Sequence, residues 1–249
     1  MEKVRKVLET LRITSAKKIK GQNIDKVEQI IEKTKNIPIK RLLLEVDEIT
    51  IGYVDLKQSI FFNKIPQDMR LKFVKKAVSH GYQIANEVLN EFLDTDPIEI
   101  AKKMKVETVF ISNPYILGKQ IVFSEYDLKK STIYVYEGSI LYKYKLACLH
   151  QLGDMFPMET LISIHVAHEL YHHITTVRAI KNEYLVDNFK FGPIQLKVDI
   201  RELYDVAADS FARNLLRLKY CPRVLDYFLT ENPQYFYAAI NKAKEGAII

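Results

Sequence analysis

Apolar residues recur at helical spacing over much of this chain. Val4, Val7, Leu8 and Leu11 form one such set, and Ile24, Val27, Ile30 and Ile31 form a second, with Gly21 between them. Residues 41–51 mix apolar and acidic positions, and 51–62 read as extended or irregular chain. Pro66-Gln67-Asp68 has the form of a helix start, and the apolar pattern from Met69 to Phe92 sustains a long helix. Asp94-Thr95-Asp96-Pro97 breaks it, and Pro97 opens a short helix over 98–104. Three strand-like runs follow, 106–111, 120–124 and 132–137, separated by loops containing Asn113-Pro114 and Asp127-Leu128-Lys129-Lys130. Helical character resumes after Gly138. Residues 182–197 read as a loop, and 200–218 as a final strong helix. This order predicts an α+β fold, mostly helical, with a small three-stranded sheet packed on helices. No internal repeat, low-complexity tract or clear helix-turn-helix motif is present.

Within the second half lies His165-Val166-Ala167-His168-Glu169-Leu170-Tyr171-His172-His173. Here His-Glu-x-x-His sets His168 and His172 one helical turn apart, so both imidazoles leave one helix face and can grip a single metal ion. Glu169 is placed to act as a base on a water held there. Leu161, Ile162, Ile164, Val166, Ala167, Leu170 and Ile174 make the surrounding segment largely apolar, which implies a buried helix. Burying so many polar side chains there would be costly unless a metal and its hydrogen-bond partners satisfied them. A hydrolytic zinc site usually takes a third protein ligand. Glu202, Asp205 and Asp209 stand at i, i+3 and i+7 on the next strong helix, along one stripe, while Leu203, Val206, Ala207 and Leu215 offer the opposite stripe for packing.

Composition narrows the setting. The chain has 249 residues, 48% of them hydrophobic, enough for a packed core. No apolar run is long enough to span a bilayer, and the charged start lacks the apolar stretch of a signal peptide, so no membrane contact and a cytoplasmic location are expected. Cys148 and Cys221 lack metal-binding spacing and read as reduced thiols. The net charge of +6 is uneven: residues 1–41 hold twelve Lys/Arg against five Asp/Glu, leaving 25 basic and 26 acidic residues in the remainder. Such a segment can meet nucleic acid or an acidic partner. A solvated helix face is the plainer reading, because no DNA-reading motif accompanies the charge. Residues 1–65 are accordingly expected to form a basic, partly helical N-terminal region and 66–249 the catalytic domain.

Over roughly residues 66–220 the chain resembles the ImmA/IrrE-type metallopeptidases, a compact branch of the gluzincins. The resemblance rests on His168-Glu169-Leu170-Tyr171-His172 followed by Asp205-Val206-Ala207-Ala208-Asp209-Ser210-Phe211-Ala212 and Leu215-Leu216. Asp96-Pro97-Ile98-Glu99-Ile100-Ala101-Lys102-Lys103-Met104 is similar to the family's entry helix, and Ile133-Tyr134-Val135-Tyr136 falls where the family has a strand before its metal helix. The resemblance implies Zn2+ held by His168, His172 and a carboxylate, Glu169 as catalytic base, and a protein or peptide substrate, often a regulatory repressor. The family's third ligand is usually Glu. The matching position here is Asp205, one methylene shorter, with Glu202 one turn earlier as the alternative. Asp209 is expected to accept a hydrogen bond from a ligand histidine. His165 and His173 flank the motif as possible transition-state stabilisers, Tyr171 and Tyr204 are further oxyanion candidates, and His80 and His150 have no evident partners. A substrate strand is expected to lie along a sheet edge containing residues 133–136. The competing reading is a non-catalytic regulatory or DNA- or partner-binding module that keeps the metallopeptidase fold.

Overall fold

The computed structural model describes residues 22–180, 186–191 and 194–245. The first predicted helical set, Val4 to Leu11, lies outside them. Three helices come first: α1 (Gln22–Lys33), α2 (Ile39–Glu45) and α3 (Glu48–Gln58). The last corrects the extended reading of 51–62. Asp47 accepts a hydrogen bond from the Thr50 amide at 2.7 Å and caps α3, and Ile51, Val54 and Asp55 share its buried side. The β-branched residues and Gly52 suggested extended chain because the helix serves packing over propensity. A Cβ on Gly52 would stand 2.8 Å from Val74 and 2.9 Å from Val206, so the small residue admits two neighbouring helices.

The long helix α4 (Gln67–Phe92) and short α5 (Pro97–Lys103) match the sequence, the second capped by Asp96 accepting from the Ile98 amide at 2.9 Å. The strands are β1 (Glu107–Ile111), β2 (Tyr115–Leu117), β3 (Gln120–Val122), β4 (Ser124–Asp127) and β5 (Thr132–Tyr136). They form a mixed three-stranded sheet in the order β1-β5-β4, with β1 parallel and β4 antiparallel to β5, and a separate β2-β3 hairpin. The expected single strand over 120–124 is therefore two, one in each sheet. Residues 133–136 lie on the central strand, hydrogen-bonded on both sides, so they offer no edge; β4 and β1 hold the edges.

Next come α6 (Glu137–Leu149) and α7 (Met158–Val177), then a hairpin of β6 (Val186–Phe191) and β7 (Ile194–Asp199) where a loop was expected. Asp187, Asn188 and Gly192-Pro193 suggested irregular chain, yet Phe189, Phe191, Ile194, Leu196 and Val198 alternate with polar residues at the strand period. The predicted last helix is α8 (Arg201–Leu215), but two more follow, α9 (Val224–Tyr227) and α10 (Pro233–Lys244).

Helix α8 lies between α4, α3 and α7, and its closest approach is to α4, where a Cβ on Gly81 would fall 2.0 Å from the Ala207 carbonyl oxygen. Leu203, Val206, Ala207 and Leu215 are buried, as their stripe predicted. The sheet packs on α7 through β4 and β5. Together this is a mostly helical α+β fold with a small three-stranded sheet. One continuous apolar core runs from Val27 to Ala243, so residues 27–65 share it with the rest. Among the described residues no helix is long and apolar enough to cross a membrane.

Candidate functional site

Helix α7 carries the histidines through the middle of the core. Apolar residues on most of its circumference bury it, and its polar stripes face β4 on one side and α8 on the other. Toward α8, the Nε2 atoms of His168 and His172 lie 3.2 Å apart, and Asp205 Oδ1 lies 3.8 and 3.6 Å from them. Among the described residues, these three are the His, Cys, Asp and Glu side chains grouped closely enough to hold a metal ion. A tetrahedral ion bound at about 2.1 Å separates its ligand atoms by about 3.4 Å, so the triangle has the dimensions of one coordination face. Without an ion, two imidazole nitrogens and a carboxylate oxygen would present lone pairs to one point.

Asp209, one turn after Asp205, pairs its Oδ1 with His168 Nδ1 at 2.8 Å. With the proton on Nδ1, the Nε2 lone pair is left facing the other two ligand atoms. Burial alone would raise the Asp209 carboxyl, but Arg223 and His168 outweigh it and hold it below the usual carboxylate range. Asp205 is likewise held far down: the imidazoles of His168 and His172 overcome the effect of burial. Glu202 is not part of the triangle and stands at the cleft wall one turn earlier.

Toward the sheet, β4 and α7 match in pitch. Two residues of strand advance about 6.6 Å and four residues of helix about 6 Å. Ser124 Oγ accordingly donates to Glu169 Oε1 at 2.7 Å, and Tyr126 Oη pairs with His173 Nδ1 at 2.7 Å. Glu169 thus faces the cleft with a fixed partner. His173 does not line the cleft, and its bond to Tyr126 makes it structural. Tyr171 is fully buried with its hydroxyl 2.8 Å from His80 Nδ1, and neither Tyr171 nor Tyr204 lines the cleft. His150 bonds Thr34 Oγ1 at 2.9 Å.

His165 does line the cleft. Lys143 of α6 donates to its Nε2 at 2.6 Å, and Phe123 stacks on its ring with centroids 5.0 Å apart. Burial first, then the Lys143 charge, hold His165 far below the usual imidazole value, so it is neutral. Lys143 is 2% exposed, lies 4.0 Å over the Phe123 ring centroid and forms an ion pair with Asp226. Arg223 then reaches Asp226, Asp209 and Asp55, each at 3.5 Å. Burial, outweighing the Arg223 charge, pushes the Asp55 carboxyl up to about 6. A chain of buried charges therefore runs from His168 through Asp209, Arg223, Asp226 and Lys143 back to His165.

These side chains open into a cleft of about 860 Å³. Ser124, Lys143, Arg223, Asp226 and Asp55 were not legible from motifs. For Lys143 a signal exists: it occupies a core position of α6 beside Ile140, Leu146 and Ala147, where an unpaired charge would be prohibitive. Asp55 breaks the apolar stripe of α3 in the same manner. No known family model, curated protein or solved structure matches this chain.

Proposed function

We propose that this chain is a zinc-dependent peptidase similar to the ImmA/IrrE type, acting on a protein or peptide substrate. The observation that carries the reading is the convergence of His168, His172 and Asp205 on one point beside the Glu169 carboxylate. Two imidazoles, one carboxylate and an open cleft suit zinc. When bound, zinc supplies a Lewis acid that acidifies water and stabilises charge on a carbonyl oxygen.

The remaining chemistry belongs to the chain. Glu169 takes the proton of the attacking water on its carboxylate and passes it to the nitrogen of the leaving amine. The Ser124 hydroxyl, donating to Oε1, fixes the carboxylate's orientation. Asp209 fixes the His168 tautomer, and Arg223 holds Asp209. With Nε2 accepting from Lys143, neutral His165 carries its proton on Nδ1, the atom left to donate toward the developing oxyanion in the cleft. The outer edge of β4, which begins at the residue touching Glu169, offers backbone groups to a substrate strand. The cytoplasm is the setting we propose, on the two free thiols of Cys148 and Cys221.

Comparing zinc-loaded protein with its Glu169→Gln variant on peptide and protein substrates tests the mechanism. Loss of Glu169 is expected to lower kcat about 10²–10⁴-fold. Equal cleavage by both proteins would refute it.

A further inference from the structure

At several places on this surface a cation stands one turn from an acid: Lys35 pairs with Glu32, Arg41 with Glu45 and Lys102 with Glu99. The corner between α3 and α4 is built the other way. Of the 25 basic and 26 acidic residues that follow residue 41, six and one fall within 57–76, which leaves 19 and 25 for the rest. A positive corner therefore projects from an otherwise acidic body.

The fold gains little from this gathering. Lys57, Lys64, Lys72, Lys75 and Lys76 are all exposed. Lys75 and Lys76 follow Lys72 by three and four residues, so like charges face each other along α4 and oppose the helix. The one acid of the segment, Asp68, pairs with Lys72 at 3.3 Å, and Lys57, Lys64, Lys75 and Lys76 have no ion pair among the described residues. Arg70 is committed elsewhere: it lies 4.1 Å over the Phe62 ring and donates to the Ile65 carbonyl at 3.1 Å, which fixes the turn. Within that turn Ile60 is 86% exposed. The corner also continues the cleft, since Gln58, the last residue of α3, lines it next to Lys57.

Resting on the peptidase reading above, we propose that the α3–α4 corner holds an acidic segment of the protein substrate, outside the stretch of chain that lies in the cleft. Carboxylates of that segment meet the five lysines, and an apolar side chain among them covers Ile60. Continuity with the cleft favours a substrate chain, because one molecule can occupy both places and gain from both. A nucleic acid finds no stacking face in the turn, where Arg70 covers Phe62 and Tyr53 meets it edge-on. A lipid surface finds a single protruding aliphatic residue, Ile60.

The test uses the full chain as zinc-loaded Glu169→Gln protein and measures binding of labelled peptides by fluorescence anisotropy at rising salt. A peptide of Glu residues around one Leu should bind about 10-fold tighter than its Gln counterpart at low salt, and the advantage should fade as salt rises. The quadruple variant Lys64→Gln/Lys72→Gln/Lys75→Gln/Lys76→Gln, altered at exposed sites alone, should lose it, and Ile60→Ser should weaken the acidic peptide several-fold. In a cleavage arm the wild type receives a peptide extended, at either end in turn, by the acidic segment or by its Gln counterpart. The acidic extension should raise kcat/KM about 10-fold through KM, and the quadruple variant should treat the two alike. An acidic peptide that binds no better than its counterpart, an advantage that survives in the quadruple variant, or equal kcat/KM for the two extensions overturns the inference; cleavage of the Gln-extended peptide then shows that the peptidase reading stands. Lysine-dependent binding of the acidic peptide with no cleavage of any peptide keeps the docking surface and sinks the peptidase reading. Tighter lysine-dependent binding of a single-stranded oligonucleotide or of phosphatidylserine vesicles at the same salt overturns the inference in favour of those partners.

Discussion

Two polar clusters meet at the core of this protein, and they are written into the sequence in opposite ways. One, His168, His172, Asp205 and Asp209, comes from two helices and obeys helical spacing within each. The other, Lys143, Arg223, Asp226 and Asp55, comes from three separate stretches, and only Arg223 and Asp226 are near one another in sequence. The two touch through the Asp209–Arg223 contact at 3.5 Å. The first group leaves lone pairs facing one another, which a metal can satisfy. Within the second, cation and carboxylate largely satisfy each other, which a fold can use to lock its parts. The comparison implies that substitutions in the first cost ligand affinity and substitutions in the second cost stability.

The largest expected effect comes from Lys143→Met, which removes the close partner of Asp226 and leaves it only the longer contact to Arg223 at 3.5 Å. Removing one partner of a buried pair costs about 3–5 kcal/mol, and chemical denaturation checks it. A loss below about 1 kcal/mol would show that this pair is no structural lock. Next, Gly81→Ala would press a methyl against the Ala207 carbonyl, 2.0 Å from the Cβ position. Such overpacking of backbone on backbone costs about 3 kcal/mol, and displacement of α8 should weaken metal binding too. That variant would join the two columns of the comparison, because it moves Asp205 and Asp209 without altering either. If its metal affinity matches that of the wild type, α8 does not need its seat on α4 to form the site.

Asp55 sharpens the contrast through pH. Its folded-state carboxyl is raised to about 6 by burial, above its ordinary value of 3.8. The folded protein therefore holds the proton more tightly than the unfolded chain. The corresponding stability is present below about pH 4 and is lost as pH rises through 6, by up to about 3 kcal/mol. Unfolding titrations at pH 4 and pH 7.5 should show this loss in the wild type and its absence in Asp55→Asn. An identical pH dependence in both would remove Asp55 from the account. The smallest effect on stability belongs to the first cluster. Asp209→Asn keeps an oxygen to accept from His168 but loses the charge, and zinc affinity is expected to fall about 10–100-fold. Competition with a fluorescent chelator measures it; an unchanged affinity would mean that Asp209 does not tune the ligand.

The same contrast explains what could be read in advance. His168 and His172 were legible because a four-residue spacing fixes their geometry within one helix, and Asp205 and Asp209 because the next helix repeats the device. The long helix α4 and the strands at 107–111 and 132–136 followed from unbroken periodicity. Helix α3 was not legible, since Gly52 and the β-branched residues around it suit close packing against α4 and α8 and carry weak local propensity. The 186–199 hairpin hid behind turn-forming residues although its apolar positions alternate. Arg223 and Asp226 follow the last strong periodic segment, and only tertiary packing brings them to α7. Lys143 and Asp55 did leave a trace, each as a charge on an apolar stripe, but nothing local named their partners.

His168, His172 and Asp205 are expected to enclose one divalent ion. Metal analysis after exhaustive dialysis from excess zinc, on wild type and on the His168→Ala/His172→Ala double variant, decides this. About one zinc per chain is predicted for the wild type and none for the double variant. A wild type that emerges metal-free, or a double variant that retains the same zinc, would contradict the account.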